Sequence, residues 1–370
     1  MALETFALYA FAASVAVSLF YQLFFFARLV GYREPAGTAG EEPGVSVVVA
    51  AHNERENLRV LLPLLLGQRY GRYEIIVVDD RSGDGGDEYL RDQAGRHEKL
   101  RPLRIDETPP GVAPKKYAVS LGIGAAIHDI ILLTDADCRP RSPDWIGLMA
   151  GRIRGNKEIV LGYSPYQAEP GLLNWLIRYE TFYTAVQYVS FALAGVPYMG
   201  VGRNLAYRKS VFTAHGGFRS HQHVVGGDDD LFVGETATRH NVALSLDPAA
   251  GVESVPKRTL RAWLRQKKRH LAAGKRYRLR NKVLLGGLPL AQGVFWAAGT
   301  TLVCLQSFSP YVAAGFLVRM LVQVVLLSRA AAVIDASIRW YLLPAFDFLY
   351  TLYYSFIGVT ALFSKRIRWQ

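Results

Sequence analysis

Apolar positions in this chain fall into long runs near its ends and short runs in its middle. Residues 5–27 contain no charged residue and are rich in Phe, Leu, Val and Ala, enough for one bilayer crossing, which takes roughly 20 apolar residues. A cleaved signal peptide would carry basic residues before the run and a small-residue site after it; here Glu4 precedes it and no such site follows. Arg28 and Arg33 flank the far end, which predicts that this end faces the cytoplasm. Residues 283–318 are a second uncharged run, too long for one crossing, and Ser309-Pro310 near its middle predicts two helices joined by a tight turn. A third run, 340–363, is interrupted only by Asp347 and is followed by Lys365-Arg366-Ile367-Arg368. Three crossings after a cytoplasmic domain would leave this basic tail outside, against the positive-inside tendency, so one run is expected to lie in the interface or to re-enter. The pattern divides the chain into an N-terminal membrane helix (1–33), a globular domain (44–256), a basic juxtamembrane segment (257–282) and two to three C-terminal membrane helices (283–370).

The middle reads differently. Gly44-Val45-Ser46-Val47-Val48-Val49-Ala50 and Tyr73-Glu74-Ile75-Ile76-Val77-Val78 are short β-branched runs of the kind buried on both faces of a parallel sheet. Asp129-Ile130-Ile131-Leu132-Leu133 is a third. Helical patterns over 57–66, 87–94 and 116–127 alternate with them, which predicts an α/β domain with helices on both faces. Ligands in such sheets bind beyond the carboxyl ends of the strands. Each run ends there in polar or acidic residues: His52-Asn53-Glu54, Asp79-Asp80 and Asp135-Ala136-Asp137. Residues 172–194 predict a helix that is either core or laid on the membrane face, and Gly202 to Tyr207 a strand.

Charge sharpens the picture. The net charge is +12, from 43 basic and 31 acidic residues, yet twelve of the basic ones lie within 257–282, which has no acid. The rest of the chain is balanced, so the basicity is one patch. Beside apolar spans such a patch suits anionic lipid headgroups better than nucleic acid. The two cysteines, Cys138 and Cys304, sit in unlike contexts and suggest neither a disulfide framework nor a zinc site.

The residues after the first strand, Ala51-His52-Asn53-Glu54-Arg55-Glu56, lack the glycines of a dinucleotide turn. Asp135-Ala136-Asp137 instead offers hard oxygen ligands suited to Mg²⁺ or Mn²⁺ alongside substrate phosphates. The adjacent acids of Gly226-Gly227-Asp228-Asp229-Asp230-Leu231 fit a surface turn, a metal site or a catalytic base.

Taken in order, these motifs resemble the membrane-bound family 2 glycosyltransferases of the GT-A fold, a group that includes ceramide glucosyltransferases and the cellulose, chitin and hyaluronan synthases. The resemblance covers about residues 45–270. It implies a Rossmann-like, mostly parallel cytoplasmic domain between membrane helices. It places Ala51, Asn53, Glu54, Asp79, Asp80, Lys116 and Asp135 at the nucleotide sugar, and Asp137 with Asp135 at the metal, Mg²⁺ or Mn²⁺. Aligned on Asp230-Leu231, the family's general base falls on Asp228, with Gly227 where the family has Glu. Gln266-Lys267-Lys268-Arg269-His270 is similar to the family's Gln-x-x-Arg-Trp, with His270 in place of Trp, and puts Gln266 and Arg269 at the diphosphate. Asp229, Asp230, Arg203 and His270 are acceptor-side candidates, Arg203 contacting phosphate or pairing with an acid. Asp229 and Asp230 are expected to raise the Asp228 pKa by like-charge repulsion. Arg319 and Asp347, inside apolar runs, are expected to form a structural pair or touch substrate.

The implied reaction is inverting, metal-dependent transfer from a nucleotide-diphosphate sugar to a membrane lipid, by a multi-pass inner- or cell-membrane protein. The alternative is a processive polysaccharide synthase extending a glycan at the membrane. No nucleic-acid partner is expected, and nothing in the pattern sets an oligomeric state.

Overall fold

A computed structural model of the chain describes residues 1–35, 42–307 and 309–363. The chain opens with α1 (Ala2–Phe20), a π-helical stretch (Tyr21–Phe26) and α2 (Ala27–Gly31), one unbroken apolar rod. There follow β1 (Val45–Ala51), α3 (Arg55–Leu66), β2 (Tyr73–Asp80), α4 (Gly86–Ala94), β3 (Leu100–Ile105), α5 (Pro114–Ala125), β4 (Ile130–Asp135) and β5 (Cys138–Pro140). Next come α6 (Trp145–Ala150), β6 (Ile159–Gly162), α7 (Leu172–Leu193), β7 (Leu205–Arg208), α8 (Lys209–His215), α9 (Asp230–Thr236), β8 (Val242–Ser245) and β9 (Val252–Ser254). The chain then runs through α10 (Leu260–Gly274), α11 (Leu279–Cys304), α12 (Pro310–Val333) and α13 (Leu343–Phe363).

The seven-stranded sheet has the order β3-β2-β1-β4-β7-β6-β8, with β7 antiparallel to both neighbours, and β5 pairs with β9 in a small second sheet. The predicted α/β class holds. β-branched residues alternate between two cores. Val47 and Val49 of β1 pack with Leu58 and Leu62 of α3, whereas Val48 packs with α5 and α7 on the other face. Each such fully buried side chain stabilises the fold by roughly 1.5–3 kcal/mol. Gly122 lets α5 approach the sheet: a Cβ there would stand 2.5 Å from Val48 Cγ1.

The predicted strand at 202–207 starts later, at Leu205, after a short 3-10 turn at Gly202–Asn204. The helix over 172–194 is core: Tyr179, Phe182, Tyr183 and Phe191 of α7 are all buried. The split of the long apolar run at Ser309-Pro310 is also found; Ser309 Oγ accepts from Val312 N–H at 3.4 Å and caps α12.

Among the described residues three helical stretches are long and apolar enough to cross a membrane, Ala2–Gly31, Leu279–Cys304 and Pro310–Val333. The third C-terminal run, α13, packs against the domain as well as the other helices, with Phe346 stacked on Tyr179 of α7 (4.9 Å) and Tyr353 on Trp263 of α10 (4.5 Å). The basic tail at 365–368 lies outside the described residues. Arg319 and Asp347 form a fully buried bidentate pair at 2.6 and 3.1 Å, and Gln292, Trp296 and Gln323 also donate to Asp347. The pair is structural, joining α11, α12 and α13.

Candidate active site

The rim of the sheet is built by two interlaced loops. After β1, Asn53 takes a left-handed conformation (φ +55°), donates its backbone N–H to Ser82 Oγ at 2.8 Å and accepts from Gly83 N–H at 2.9 Å. His52 Nδ1 meets the Asp80 carbonyl at 2.5 Å. Asn53 and Glu54 thereby face a cavity of about 1220 Å³ at the carboxyl ends of β1 and β4. Burial pushes the Glu54 carboxyl up, against the hydrogen bond from Asn57.

Asp79 and Asp80 stand beside this cavity rather than in its wall. They are buried and bound to Arg104 (3.0 Å) and Arg81 (2.8 Å). Ala51 belongs to the core under α3, and its neighbour Ala50 takes the place in the wall. Lys116 is likewise not in the wall. Its ammonium is buried against His221 Nδ1 (2.6 Å) and the His221 carbonyl (2.7 Å), and burial lowers it to about 8. Lys115, one residue earlier on α5, occupies the place expected of it. Lys115 Nζ lies 2.9 Å from Asp135 Oδ1 and 3.1 Å from Asp228 Oδ2.

Two successive left-handed glycines, Gly226 (φ +84°) and Gly227 (φ +77°), turn the chain so that Asp228, Asp229 and Asp230 all enter the cavity. A Cβ on Gly227 would stand 2.6 Å from Leu231 Cδ1, and the left-handed backbone there would strain any other side chain. The expectation that its neighbours raise the Asp228 pKa is corrected. Burial does push Asp228 up, but Lys115 more than reverses it, leaving the carboxyl below the usual range. The raised groups are Asp229, through burial and then Asp228, and Asp230, pushed up to about 7 by burial and then Asp229. Asp229 caps α9, accepting from Asp230 N–H (2.8 Å) and Gly202 N–H (2.7 Å). Asp230 accepts from the Tyr277 hydroxyl at 2.6 Å.

Asp137 turns inward at the start of β5 with only weak partners, Ser254 Oγ at 3.5 Å and Cys138 Sγ at 3.6 Å. Burial and then Asp135 raise it. Lys115 bridges Asp135 to Asp228 where a cation is favoured, and Asp137 is a buried carboxylate short of one, so the donor set fits a divalent metal. Among the described residues no group of three or more His, Cys, Asp or Glu side chains could hold a metal. Asp135 and Asp137 would therefore supply two ligands, substrate oxygens and water the others.

Arg203 reaches the cavity with its guanidinium 4.5 Å from the Tyr166 ring centre, and its Nη1 is buried without a partner. Gln266, Arg269 and His270 enter from α10. Gln266 donates to Tyr166 at 3.0 Å, Arg269 Nε is buried without a partner, and burial followed by Lys267 holds His270 neutral. The sequence reading missed Lys115, Tyr277 and the Lys267–Glu180 ion pair, all of which line the same cavity. The cavity continues to Leu285, Gly286 and Pro289 of α11 and to Tyr350, Tyr353 and Tyr354 of α13.

Residues 46–216 match the family model described as glycosyl transferase family 2. The match covers under half of the chain, which is similar to that family over these residues. The domain is 28% identical to glycosyltransferase AglE of Haloferax volcanii over 188 residues, covering 50% of this chain and 59% of that one. It is 27% identical to the probable glycosyltransferase YdaM of Bacillus subtilis over 248 residues, covering 64% and 56%. The chain thus spans under two thirds of the length of these curated relatives. The fold is shared with a mannosyltransferase of Pyrobaculum calidifontis, PcManGT, solved in complex with GDP-Man and Mn²⁺: TM-score 0.60, 22% identity, 90% of this chain and 98% of the other. The expected GT-A architecture of the glycosyltransferase domain is thereby met.

Proposed function

We propose that this protein transfers a sugar, with inversion, from a nucleotide-diphosphate sugar to a lipid acceptor at the membrane surface. One observation carries the reading: a single cavity joins the acidic centre at Asp135, Asp137 and Asp228 to the walls of α11 and α13. Donor and lipid can therefore meet at one carboxylate.

Asp228 accepts the proton of the acceptor hydroxyl as that oxygen bonds to the anomeric carbon of the sugar. The bond from that carbon to the diphosphate oxygen breaks on the opposite side, and the nucleoside diphosphate leaves with the electron pair. Arg203 and Arg269, each with a buried N–H lacking a partner, donate to the departing diphosphate. Asp135 and Asp137 would hold Mg²⁺ or Mn²⁺, which when bound supplies further neutralisation of the diphosphate. Lys115 keeps Asp228 ionised, and the paired glycines at 226 and 227 aim it.

The membrane placement is part of the same reading. The loop after α12 returns to the domain, Asp335 meeting Arg141 at 3.1 Å and the Ser337 carbonyl meeting Arg178 at 3.2 Å. With α13 lying along the interface, two crossings would follow the domain and the charge conflict raised by the sequence would be removed. A cytoplasmic domain against an inner or cell membrane, with the basic segment on anionic headgroups, satisfies these charges.

The test is purified full-length protein in vesicles with labelled nucleotide sugars, GDP-mannose with Mn²⁺ first because of the PcManGT likeness. Nucleotide release with label in the organic phase is expected. Label confined to a water-soluble polymer would favour the synthase alternative, and no nucleotide release from any donor would sink the proposal.

A further inference from the structure

The lipid-acceptor reading, on which this inference rests, does not say which headgroup reaches Asp228 or where the hydrocarbon lies. We propose that the cleft between α11 and α13 is the acceptor's hydrocarbon site, and that the acceptor presents a neutral hydroxyl group rather than a phosphate.

The cleft has the right composition and room. Its walls are Leu285 and Pro289 on one helix and Tyr350, Tyr353 and Tyr354 on the other. Gly286 and Gly358 also line it, and a Cβ added at either meets nothing within 4 Å. The space continues without a break to Asp228, and α11 is one of the helices long and apolar enough to cross a membrane. A chain lying there exchanges bilayer for protein at little cost, and its polar end is delivered inward.

The inner end selects against a second phosphate. Three consecutive carboxylates, Asp228, Asp229 and Asp230, face the space where the headgroup arrives. Of the cations lining the cavity, Lys115 is paired with Asp135 and Asp228 and Lys267 with Glu180, and the free N–H groups of Arg203 and Arg269 are taken by the donor diphosphate. A phosphate dianion would meet like charge at a buried site. It would also have no proton that needed removal, leaving Asp228 idle. A hydroxyl group has the proton, and its neutrality costs nothing to bury once it is hydrogen-bonded. The exposed Lys275 and Lys282 stand at the outer mouth, suited to the phosphates of surrounding lipids.

The test uses full-length protein in phosphatidylcholine vesicles. Acceptors are a polyprenol, the same polyprenol as its phosphate, and a diacylglycerol. Transfer to the hydroxyl lipids and not to the phosphate is expected; the reverse preference overturns the headgroup assignment. Gly286→Leu combined with Gly358→Leu adds apolar bulk to the cleft at two positions where a Cβ meets nothing within 4 Å. It should lower transfer to lipid by about tenfold or more. Unchanged lipid transfer would overturn the cleft. A donor-independent measurement separates this inference from the proposed activity: a long-chain alcohol carrying a diazirine should photolabel α11 and α13 and lose that labelling in the double variant. Labelling that ignores the leucines rejects the site, whatever the enzyme does with a donor.

Discussion

Lys115 Nζ stands 3.1 Å from Asp228 Oδ2, so the carboxylate best placed to remove a proton is held by an ammonium group. Lys115 also touches Asp135, and the proposed base and the proposed nucleotide side of the site therefore share one cation. Lys115→Met should move the acid limb of the kcat/KM profile to higher pH. The sign follows from the Asp228 pKa, which Lys115 lowers: without it, burial is opposed only by a backbone hydrogen bond and the more weakly acting Lys116, and the carboxyl protonates sooner as pH falls. The stability that the lowered pKa provides, present above the carboxyl's unfolded pKa, is lost in the same variant. A pH–rate profile with an unmoved acid limb would show that Lys115 does not set the base.

Asp228→Asn should reduce transfer by about a thousandfold while leaving nucleotide-sugar affinity near wild type, since the base acts on the acceptor. Asp230→Asn should cost less, because its partner is the Tyr277 hydroxyl. Turnover and calorimetric donor binding on both variants check this. Normal turnover in Asp228→Asn with a dead Asp230→Asn would shift the base by two residues.

His221 is buried beside Lys116 and Glu235, and burial followed by Lys116 lowers it to about 4. Below its unfolded pKa of about 6.5 the unfolded chain binds the proton that the folded chain refuses. Stability should therefore fall as pH drops from about 6.5 toward 4. His221→Gln should flatten that part of the curve in thermal unfolding at stepped pH, even if its stability at pH 7 is lower.

Arg319→Met or Asp347→Asn alone should destabilise the helices by about 3–5 kcal/mol, since either leaves a buried charge unpaired. The double variant Arg319→Met with Asp347→Leu should recover much of this. Unfolding in mild detergent reads the difference, and equal losses in single and double variants would mean that an unpaired charge is not what costs the stability.

What the sequence made legible was what neighbouring residues encode. β1, β2 and β4 are β-branched runs that end in acids, so both the sheet and its working edge could be read. β3 escaped because Leu100-Arg101-Pro102-Leu103-Arg104-Ile105 mixes Pro and Arg into a strand at the sheet edge. β6 and β8, of four residues each, are too short to show a period. The choice between Lys115 and Lys116 depends on the angle at which α5 meets the sheet, because adjacent helical residues point about 100° apart. Asp228, Asp229 and Asp230 were found together as a motif, but their pKa order depends on Lys115 from a distant segment. The Lys267–Glu180 and Tyr277–Asp230 contacts likewise join segments with no common local pattern. Arg319 and Asp347 were conspicuous because charge is rare in apolar runs.

The core on the α7 face of the sheet does not stop at the domain boundary. Val48 of β1, Tyr183 of α7, Phe26 of the N-terminal rod, Leu327 of α12 and Phe346 of α13 belong to one buried cluster. Genetic excision therefore has a cost that a hinged architecture would avoid. A polypeptide ending near residue 256 would uncover Tyr179 and Tyr183, which pack on Phe346 and Tyr350 of α13, an adhesive patch that favours inclusion bodies over a secreted or soluble catalyst. Heat or harsh surfactant that loosens the helices should likewise melt the sheet in the same transition, so bilayer quality becomes a determinant of catalytic lifetime.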